Sequence, residues 1–128
     1  MPTWEDYKSD AKARGALAKE LFVVRSTPAG DMDLVKATLP AHLAYQKDME
    51  AAGRLVMAGP VSDATGEMME AEGMIIYRAA DLEAARAMAD DDPMHKTGAR
   101  RYDIRKWLVN EGSLSLTVSL SSQSVTLG

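Results

Sequence analysis

The sequence predicts an α+β protein whose elements follow the β-α-β-β-α-β order of a ferredoxin-like fold, with an extra N-terminal helix before that core and an extra C-terminal strand after it. Two patterns support this class: short apolar runs rich in β-branched residues alternate with stretches of helical periodicity, and turn-forming residues separate them. Two right-handed βαβ units then give a four-stranded antiparallel sheet with both helices on one face. The opposite face is left bare, and we expect a second copy of the chain to cover it.

The size and composition fit a single domain over residues 1–128, with its core at about residues 21–109. The formal net charge is -4 and the basic residues are dispersed, which argues against binding to nucleic acid. The chain has no cysteine, so disulfides, thiolate metal sites and a cysteine nucleophile are excluded. No apolar stretch approaches the ~20 residues of a membrane-spanning helix, and the first residues lack the pattern of a signal peptide. We therefore expect a cytoplasmic protein that binds no membrane.

The extra helix is predicted over residues 3–18. Thr3 and Asp6 form a capping pattern, because the threonine hydroxyl accepts from a first-turn N–H and the acid suits the positive end of the helix. Trp4 and Tyr7 then lie at helical spacing, so the helix is expected to pack its two aromatic side chains on one face.

The first strand of the core is predicted at Leu21–Val24, where four consecutive residues are apolar. The helix that follows runs to Ala52 and has an apolar face at helical spacing. The members of this predicted face are Val35, Leu39, Leu43 and Met49. Pro40 interrupts the helix because proline cannot donate to the carbonyl of Lys36, so the helix is expected to kink or to restart there.

Three further strands and one more helix complete the predicted core. The strands are expected at residues 55–58, 73–78 and 101–109, with the helix between the last two. Gly59-Pro60 is expected to end the first of these strands as a turn. The last strand alternates at Tyr102, Ile104 and, after a slip of one residue, Trp107.

Residues 113–128 are predicted to form the extra strand and an arm. Leucine and valine alternate strictly with serine and threonine from Ser113 to Leu120, which is typical of a one-sided strand. Residues 121–128 then add a short hairpin arm; the alternative is a Ser-rich, partly disordered tail, and the strict alternation favours the strand. Such a strand must cover its apolar face on its own sheet or on a neighbouring subunit.

Three segments in this order resemble the YCII-related family: residues 42–45 (His-Leu-Ala-Tyr), residues 53–60 (Gly-Arg-Leu-Val-Met-Ala-Gly-Pro) and residues 92–98 (Asp-Pro-Met-His-Lys-Thr-Gly). The resemblance covers about residues 21–109. It implies a dimeric α/β-barrel fold and an active site built on His42 and Asp92, and one family member is known as a dehydrochlorinase of a chlorinated hydroxyquinol. The chain departs from the family pattern at Met94, where an aromatic residue is common, and this affects the shape of the pocket.

His42 and Asp92 are the candidate catalytic residues. His42 borders the apolar face of its helix, and an imidazole paired with a carboxylate can act as a general base near neutral pH. The alternative is a histidine at the edge of the core that bonds to a loop. Asp92 precedes a proline, which is also the pattern of a helix N-cap. It belongs to a run of three aspartates at a predicted helix C-terminus, where the macrodipole disfavours anions, so a histidine or a cation is expected nearby.

Five further residues are candidates for substrate binding. They are Tyr45, Gly59, Pro60, His95 and Arg101. Tyr45 lies one turn after His42, the Gly-Pro pair would let a ligand approach the backbone, His95 is a local partner for the aspartates, and Arg101 would pair with an anionic substrate. Four of these candidates also have a structural interpretation: Tyr45 as a half-buried helix tyrosine, Gly59-Pro60 as a turn, and Arg101 as an arginine in a salt bridge at a sheet edge.

Together with the resemblance, these residues predict a cofactor-free acid–base enzyme, an isomerase or a lyase of the dehydrochlorinase kind, that acts on a small cyclic or unsaturated metabolite. The alternative is a non-catalytic small-molecule-binding or structural dimer. Neither phosphate-binding glycine motifs nor clusters of metal ligands are present, so no cofactor and no metal are expected. The expected partners are a small-molecule ligand and further copies of the chain, as a homodimer or a higher homo-oligomer.

Overall fold

A computed structural model describes residues 1–128 of the chain. The elements, in order, are α1 (Trp4–Ala13), β1 (Lys19–Pro28), α2 (Met32–Ala51), β2 (Leu55–Val61), β3 (Glu72–Tyr77), α3 (Leu82–Asp91), α4 (Pro93–Lys96), β4 (Arg100–Val109), β5 (Leu116–Ser119) and β6 (Ser124–Leu127). The chain divides into two compact units, one of residues 20–107 and one of residues 1–19 together with residues 108–128. None of the helices combines the length and the apolarity that crossing a membrane requires.

The larger unit contains a four-stranded sheet in the order β2-β3-β1-β4. Strand β3 pairs antiparallel with β1 and with β2, so the two central strands are β3 and β1. This is the strand order that two right-handed βαβ units produce. The predicted α+β, ferredoxin-like fold class is therefore confirmed.

One face of the sheet carries the core. Phe22 and Val24 of β1 and Tyr77 of β3 are fully buried, and they pack with Ala85 and Ala89 of α3. Small residues on α3 let the helix lie close to these large strand residues, which matches the jigsaw packing of protein interiors. The core face is thus the sheet face that α2 and α3 cover.

Helix α2 buries only part of the face that the sequence predicts. Its buried residues are Val35 and Thr38, whereas Leu39 and Leu43 are 44% and 53% exposed. The inward face continues through half-buried positions at helical spacing, and these are His42, Tyr45 and Met49. The predicted apolar face was right at Val35 and Met49 and wrong at Leu39 and Leu43, because polar residues with specific hydrogen-bond partners occupy inward positions between them. The helix also neither ends nor restarts at Pro40, which lies inside it on the exposed side.

Two strand predictions need correction. Strand β2 does not end at Gly59-Pro60, since Gly59 pairs with Met74 and Pro60 with Gly73 of β3. Proline is tolerated there because β2 is an edge strand.

Strand β4 alternates without the predicted slip. Ile104 is buried and Lys106 is half-buried on the same face, whereas Trp107 is 43% exposed on the other face. The long stem of Lys106 explains this, because lysine can bury its methylene groups while its charged end reaches water.

The smaller unit contains α1 and a hairpin. The predicted cap of α1 is confirmed, since the Thr3 hydroxyl accepts from the N–H of Asp6. The helix ends at Ala13 rather than near Ala18, and Gly15 follows it with a φ of +88°, a conformation that favours glycine. Strands β5 and β6 pair antiparallel in a hairpin, so the predicted extra strand is present but shorter, at Leu116–Ser119, and the arm after it supplies its partner strand.

Candidate active site

The side chains of His42 and Asp92 meet in the structure. The Nδ1 atom of His42 lies 2.9 Å from each carboxylate oxygen of Asp92. The Asp92 side chain is fully buried and the His42 side chain is 19% exposed. The fold thus joins two residues that are 50 positions apart in the sequence, one on α2 and one at the junction of α3 and α4.

Proline places the Asp92 carboxylate. A residue before proline is disfavoured from helical backbone angles, and Asp92 has the extended values φ −60° and ψ 125°. Helix α3 therefore ends at Asp91, and α4 begins with Pro93 at its first position. An Oδ1 atom of Asp92 accepts from the N–H of Met94 at 2.9 Å, so the same carboxylate caps α4 and bonds His42. Capping and pairing are compatible in this geometry.

The hydrogen bonds orient the imidazole of His42. An ionised carboxylate can only accept, so the Nδ1 atom that faces Asp92 carries the proton. In the neutral ring, Nε2 then has the free lone pair. The carboxylate would also stabilise the imidazolium that forms when Nε2 takes a proton. This is the arrangement of a general base held in one tautomer.

His95 forms a second polar network beside the pair. Its Nδ1 atom lies 2.7 Å from the carbonyl oxygen of Ala89, and its Nε2 atom lies 2.8 Å from the hydroxyl of Ser26. The carbonyl can only accept, so Nδ1 carries the proton and Ser26 donates to Nε2. Burial lowers the pKa of His95, while the bond to Ala89 and the charge of Asp92 act in the opposite direction. His95 is thereby kept neutral.

Arg100 anchors this network from β4. Its Nε atom donates to the Ser26 hydroxyl at 2.9 Å, and an Nη2 atom donates to the Ser26 carbonyl at 2.7 Å and to the carbonyl of Ala71. These acceptors are neutral oxygens, and burial lowers the pKa of Arg100 while Asp92 raises it. Sequence reasoning missed Ser26 and Arg100. The alternation of β4 could have indicated Arg100. Arg100 lies an even number of residues from Ile104 and therefore on the same, inward side of the strand, whereas Arg101 does not.

Tyr45 and Tyr77 lie within electrostatic reach of Asp92, and Tyr102 lies beside Asp90. The Tyr45 hydroxyl donates to the carbonyl of Met88 at 2.7 Å, and burial raises the pKa of Tyr45 to about 12, with further contributions from Asp91 and Asp92. The Tyr102 hydroxyl donates to Asp90 at 2.5 Å, and burial followed by this bond raises its pKa to about 12. Both phenols therefore stay neutral at physiological pH.

The hydroxyl of Tyr77 is buried and has no hydrogen-bond partner. Burial raises the pKa of Tyr77, and the next largest contribution comes from Asp92, so this hydroxyl lies within the electrostatic reach of the pair. A buried hydroxyl without a partner costs about 1–3 kcal/mol. Tyr77 is fully buried, so its hydroxyl is enclosed in the core and not open to a ligand.

The three aspartates at the end of α3 each have a different environment. Asp90 accepts from Tyr102, Asp91 is exposed to solvent, and Asp92 accepts from His42 and from Met94. The rings of Tyr102 and His95 also contact each other, with their centroids 4.7 Å apart. The unfavourable position of three anions at a helix C-terminus is thus offset by hydrogen bonds to each buried oxygen.

The family model of the YCII-related domain matches residues 20–108 of the chain. The chain belongs to the YCII-related domain family. The matched range is close to the predicted core of residues 21–109, so the resemblance drawn from three short segments is confirmed.

One solved structure similar to this YCII-related chain is 5-chloro-2-hydroxyhydroquinone dehydrochlorinase (TftG) from Burkholderia phenoliruptrix AC1100, in complex with 2,5-dihydroxybenzoquinone. The TM-score is 0.56 at 19% sequence identity, over 70% of this chain and 93% of that chain. At this identity the similarity shows a shared fold. A search of curated protein sequences finds no match.

Three of the predicted substrate-binding residues of this YCII-related chain occupy exposed strand positions. Gly59 and Pro60 are exposed within edge strand β2, and Arg101 is exposed on the outer face of β4. Tyr45 and His95 lie beside the pair, but their hydrogen bonds to Met88, Ala89 and Ser26 give them positioning contacts. The structure contains no group of three or more His, Asp or Glu side chains arranged to hold a metal ion.

Two cavities lie outside the His42–Asp92 pair. One, of about 290 Å³, opens on the sheet face opposite the core and is lined by Val23, Arg25, Met74, Asp103, Arg105, Lys106 and Trp107. The other, of about 270 Å³, is lined by residues from Pro60 to Met69. Neither is lined by His42 or Asp92.

Proposed function

We propose that this YCII-related chain is a cofactor-free acid–base enzyme, an isomerase or a lyase of the dehydrochlorinase kind, that acts on a small cyclic or unsaturated metabolite. The observation that carries the proposal is the contact of His42 Nδ1 with both oxygens of a fully buried aspartate. A buried carboxylate bonded to one imidazole nitrogen is the arrangement that holds a histidine base in a reactive tautomer. His42 moves the proton and Asp92 orients the ring.

The reaction begins with proton transfer to Nε2 of His42. The proton comes from an acidic C–H or O–H of the substrate, and Asp92 stabilises the imidazolium that forms. In an isomerisation, Nε2 returns the proton to another atom of the substrate. In a dehydrochlorination, chloride leaves with the bonding electron pair and the proton stays on the histidine until water removes it, so that HCl is lost overall.

One further observation supports a ring substrate that bears oxygen atoms. The similar structure TftG is a dehydrochlorinase that holds 2,5-dihydroxybenzoquinone. Chlorinated hydroxyquinols are therefore the first substrates to test.

A non-catalytic role as a small-molecule-binding or structural dimer is the second candidate. It is favoured by the position of the cavities, since the larger one lies on the open sheet face and not at the pair. In that case Asp92 is a helix cap whose second oxygen bonds a histidine at the edge of the core.

The test compares the activity of His42→Gln and Asp92→Asn with that of the parent chain on chlorinated and unchlorinated hydroxyquinols. Chloride release and the absorbance of the ring measure turnover. We expect each substitution to lower kcat/KM by at least about 100-fold, the contribution of a positioned general base. Lys47→Ala, an exposed change on the same helix, is the matched control and retains activity.

Full turnover by a folded His42→Gln variant would contradict the enzyme proposal. Ligand-induced increases in Tm that are equal in the parent and both variants, without any turnover, would support the binding role instead.

A further inference from the structure

The hairpin of β5 and β6 has one apolar face whose side chains are largely exposed. Leu116 pairs with Leu127 and Val118 pairs with Val125, so these four side chains share one face. Thr117 and Thr126, with the serines beside them, form the other face. Together with Leu114 and Leu120, the apolar side chains of this segment are between 65% and 86% exposed. We call these four paired residues the apolar hairpin face.

A hairpin in this state requires an external partner. A two-stranded hairpin alone in water is marginally stable, and three strands or packing against another element are needed. The strands carry no lysine, no proline and no bulge, which are the features that protect an exposed strand from association. The hairpin also lies outside residues 20–108, so the family core does not account for it.

The chemistry of the hairpin identifies the partner. Residues 113–128 contain no charged side chain, in a chain that is 27% charged overall. A surface for a different protein usually has a polar, charged rim that sets register and specificity. An uncharged surface meets a copy of itself without charge repulsion. Two-fold symmetry also brings the same patch from both copies together in one step.

The arrangement of side chains is self-complementary. The pairing places the two leucines in one row and the two valines in the next. A two-fold axis perpendicular to the strands lays the leucine row of one copy on the valine row of the other, so large side chains meet small ones. The four side chains of this face are between 65% and 68% exposed, so contact with a second copy removes most of their apolar surface from water.

We propose that the apolar hairpin face is an oligomerisation surface that packs against the same face of a second copy of this chain. The contact is separate from the sheet of the family core. It therefore joins copies of the chain irrespective of whether the open sheet face is also covered.

The experiment measures the mass of the full chain by light scattering and sedimentation. Val118→Thr combined with Val125→Thr keeps the β-branched shape and removes the apolar contact. We expect the mass to fall about twofold at equal concentration. Thr117→Ser combined with Thr126→Ser, on the polar face, is the matched control and leaves the mass unchanged. Circular dichroism and thermal unfolding verify that both variants fold.

A second measurement uses the absence of cysteine in the chain. A Val118→Cys substitution introduces one thiol on the apolar hairpin face, and Thr117→Cys introduces one on the polar face. A thiol cross-linker that spans the roughly 10 Å between packed sheets is expected to join two Val118→Cys chains and to leave Thr117→Cys chains unlinked. Equal cross-linking of both variants, or a mass that the double threonine variant does not change, would overturn the proposal.

Sedimentation with neutral phosphatidylcholine vesicles tests whether the apolar hairpin face binds a lipid surface and not a second copy of the chain. Wild-type chains that pellet with vesicles and stay monomeric without them would assign the apolar hairpin face to a lipid surface and overturn self-association. Absence of pelleting, together with the twofold difference in mass, supports the second copy as the partner.

Discussion

Polar residues occupy the inward positions around the candidate site, and specific hydrogen bonds hold them there. Ser26 is 3% exposed because it accepts from Arg100 and donates to His95. Asp92 is fully buried because His42 and the N–H of Met94 satisfy its oxygens. Burial of such groups is unfavourable unless they are paired. The networks therefore constrain the side chains to one arrangement.

The depressed pKa of His95 makes the stability of the chain dependent on pH. In the unfolded chain, His95 takes up a proton as the pH falls through its ordinary value of about 6.5. The folded chain keeps the ring neutral to a lower pH because burial lowers the pKa. The unfolded state then binds more protons, so the free energy of unfolding decreases on acidification, by at most about 1.4 kcal/mol per pH unit for this one group. Asp92, His42 and Arg100 are the charged and titratable groups that contribute to the shift.

Urea unfolding of the parent and of His95→Gln at pH 7.5 and pH 5.5 checks this prediction. We expect the free energy of unfolding to fall less on acidification in the variant than in the parent. An identical pH dependence in both chains would show that the ring of His95 is not held neutral by the fold.

The sequence could identify His42 and Asp92, because a family resemblance pointed to both. It could not identify Arg100, because Arg100 and Arg101 are the same residue type at adjacent positions and only the parity of the strand separates them. The unpartnered hydroxyl of Tyr77 could not be predicted either. A tyrosine in a buried strand is expected to be a core residue, and only the packed fold shows whether its hydroxyl has a partner.

At the scale of the element, α2 shows why hydrophobicity alone selected two wrong positions for its inward face. Leu39 and Leu43 suggested an inward stripe, yet Thr38 and Tyr45 point to the core side. A helix that carries part of a polar site must place polar residues inward. Its exposed leucines then lie on the opposite side, where single exposed apolar residues are common.

Pro40 leaves α2 with a local defect that a substitution can remove. It supplies no N–H for the carbonyl of Lys36, and its side chain is exposed. Pro40→Ala is therefore expected to raise the free energy of unfolding by about 2 kcal/mol, less a small loss from the more flexible unfolded chain. Urea unfolding measures the change.

Ala37→Gly, an exposed change one turn earlier in α2, is the matched control for Pro40→Ala and should lower the free energy of unfolding by about 1 kcal/mol. A destabilised Pro40→Ala variant would mean that the fixed backbone angle of proline is required in this helix.

At the scale of the whole molecule, the fold class followed from the order of elements, because each strand and helix of the core had a clear period. The boundaries did not follow, because edge position and side-chain length decide them. Strand β2 extends past Gly59-Pro60 since an edge strand tolerates proline, and β4 keeps its alternation since Lys106 fits the inward side.

The open sheet face is expected to bind a second copy of the chain, as the dimeric resemblance implies. Met74 lies on this face, in the cavity with Val23 and Trp107, and is 37% exposed. Met74→Asp would place a carboxylate in the contact, so we expect the mass measured by light scattering to fall about twofold. Met68→Asp, at an exposed methionine in the loop before β3, is the matched control.

An unchanged mass for Met74→Asp would remove the open sheet face as an interface. If both surfaces act, combining Met74→Asp with the two threonine substitutions in the hairpin leaves a monomer, while either change alone leaves a pair.

Trp107 gives the open sheet face its own optical signal. The chain has two tryptophans, and the other, Trp4, lies in α1. In a Trp4→Phe background, emission comes from Trp107 alone, whose indole is 43% exposed. Any molecule that binds over this face moves the indole from water to a less polar environment and protects it from quenching by iodide. Fluorescence can therefore follow the covering of this face in real time, at concentrations too low for light scattering.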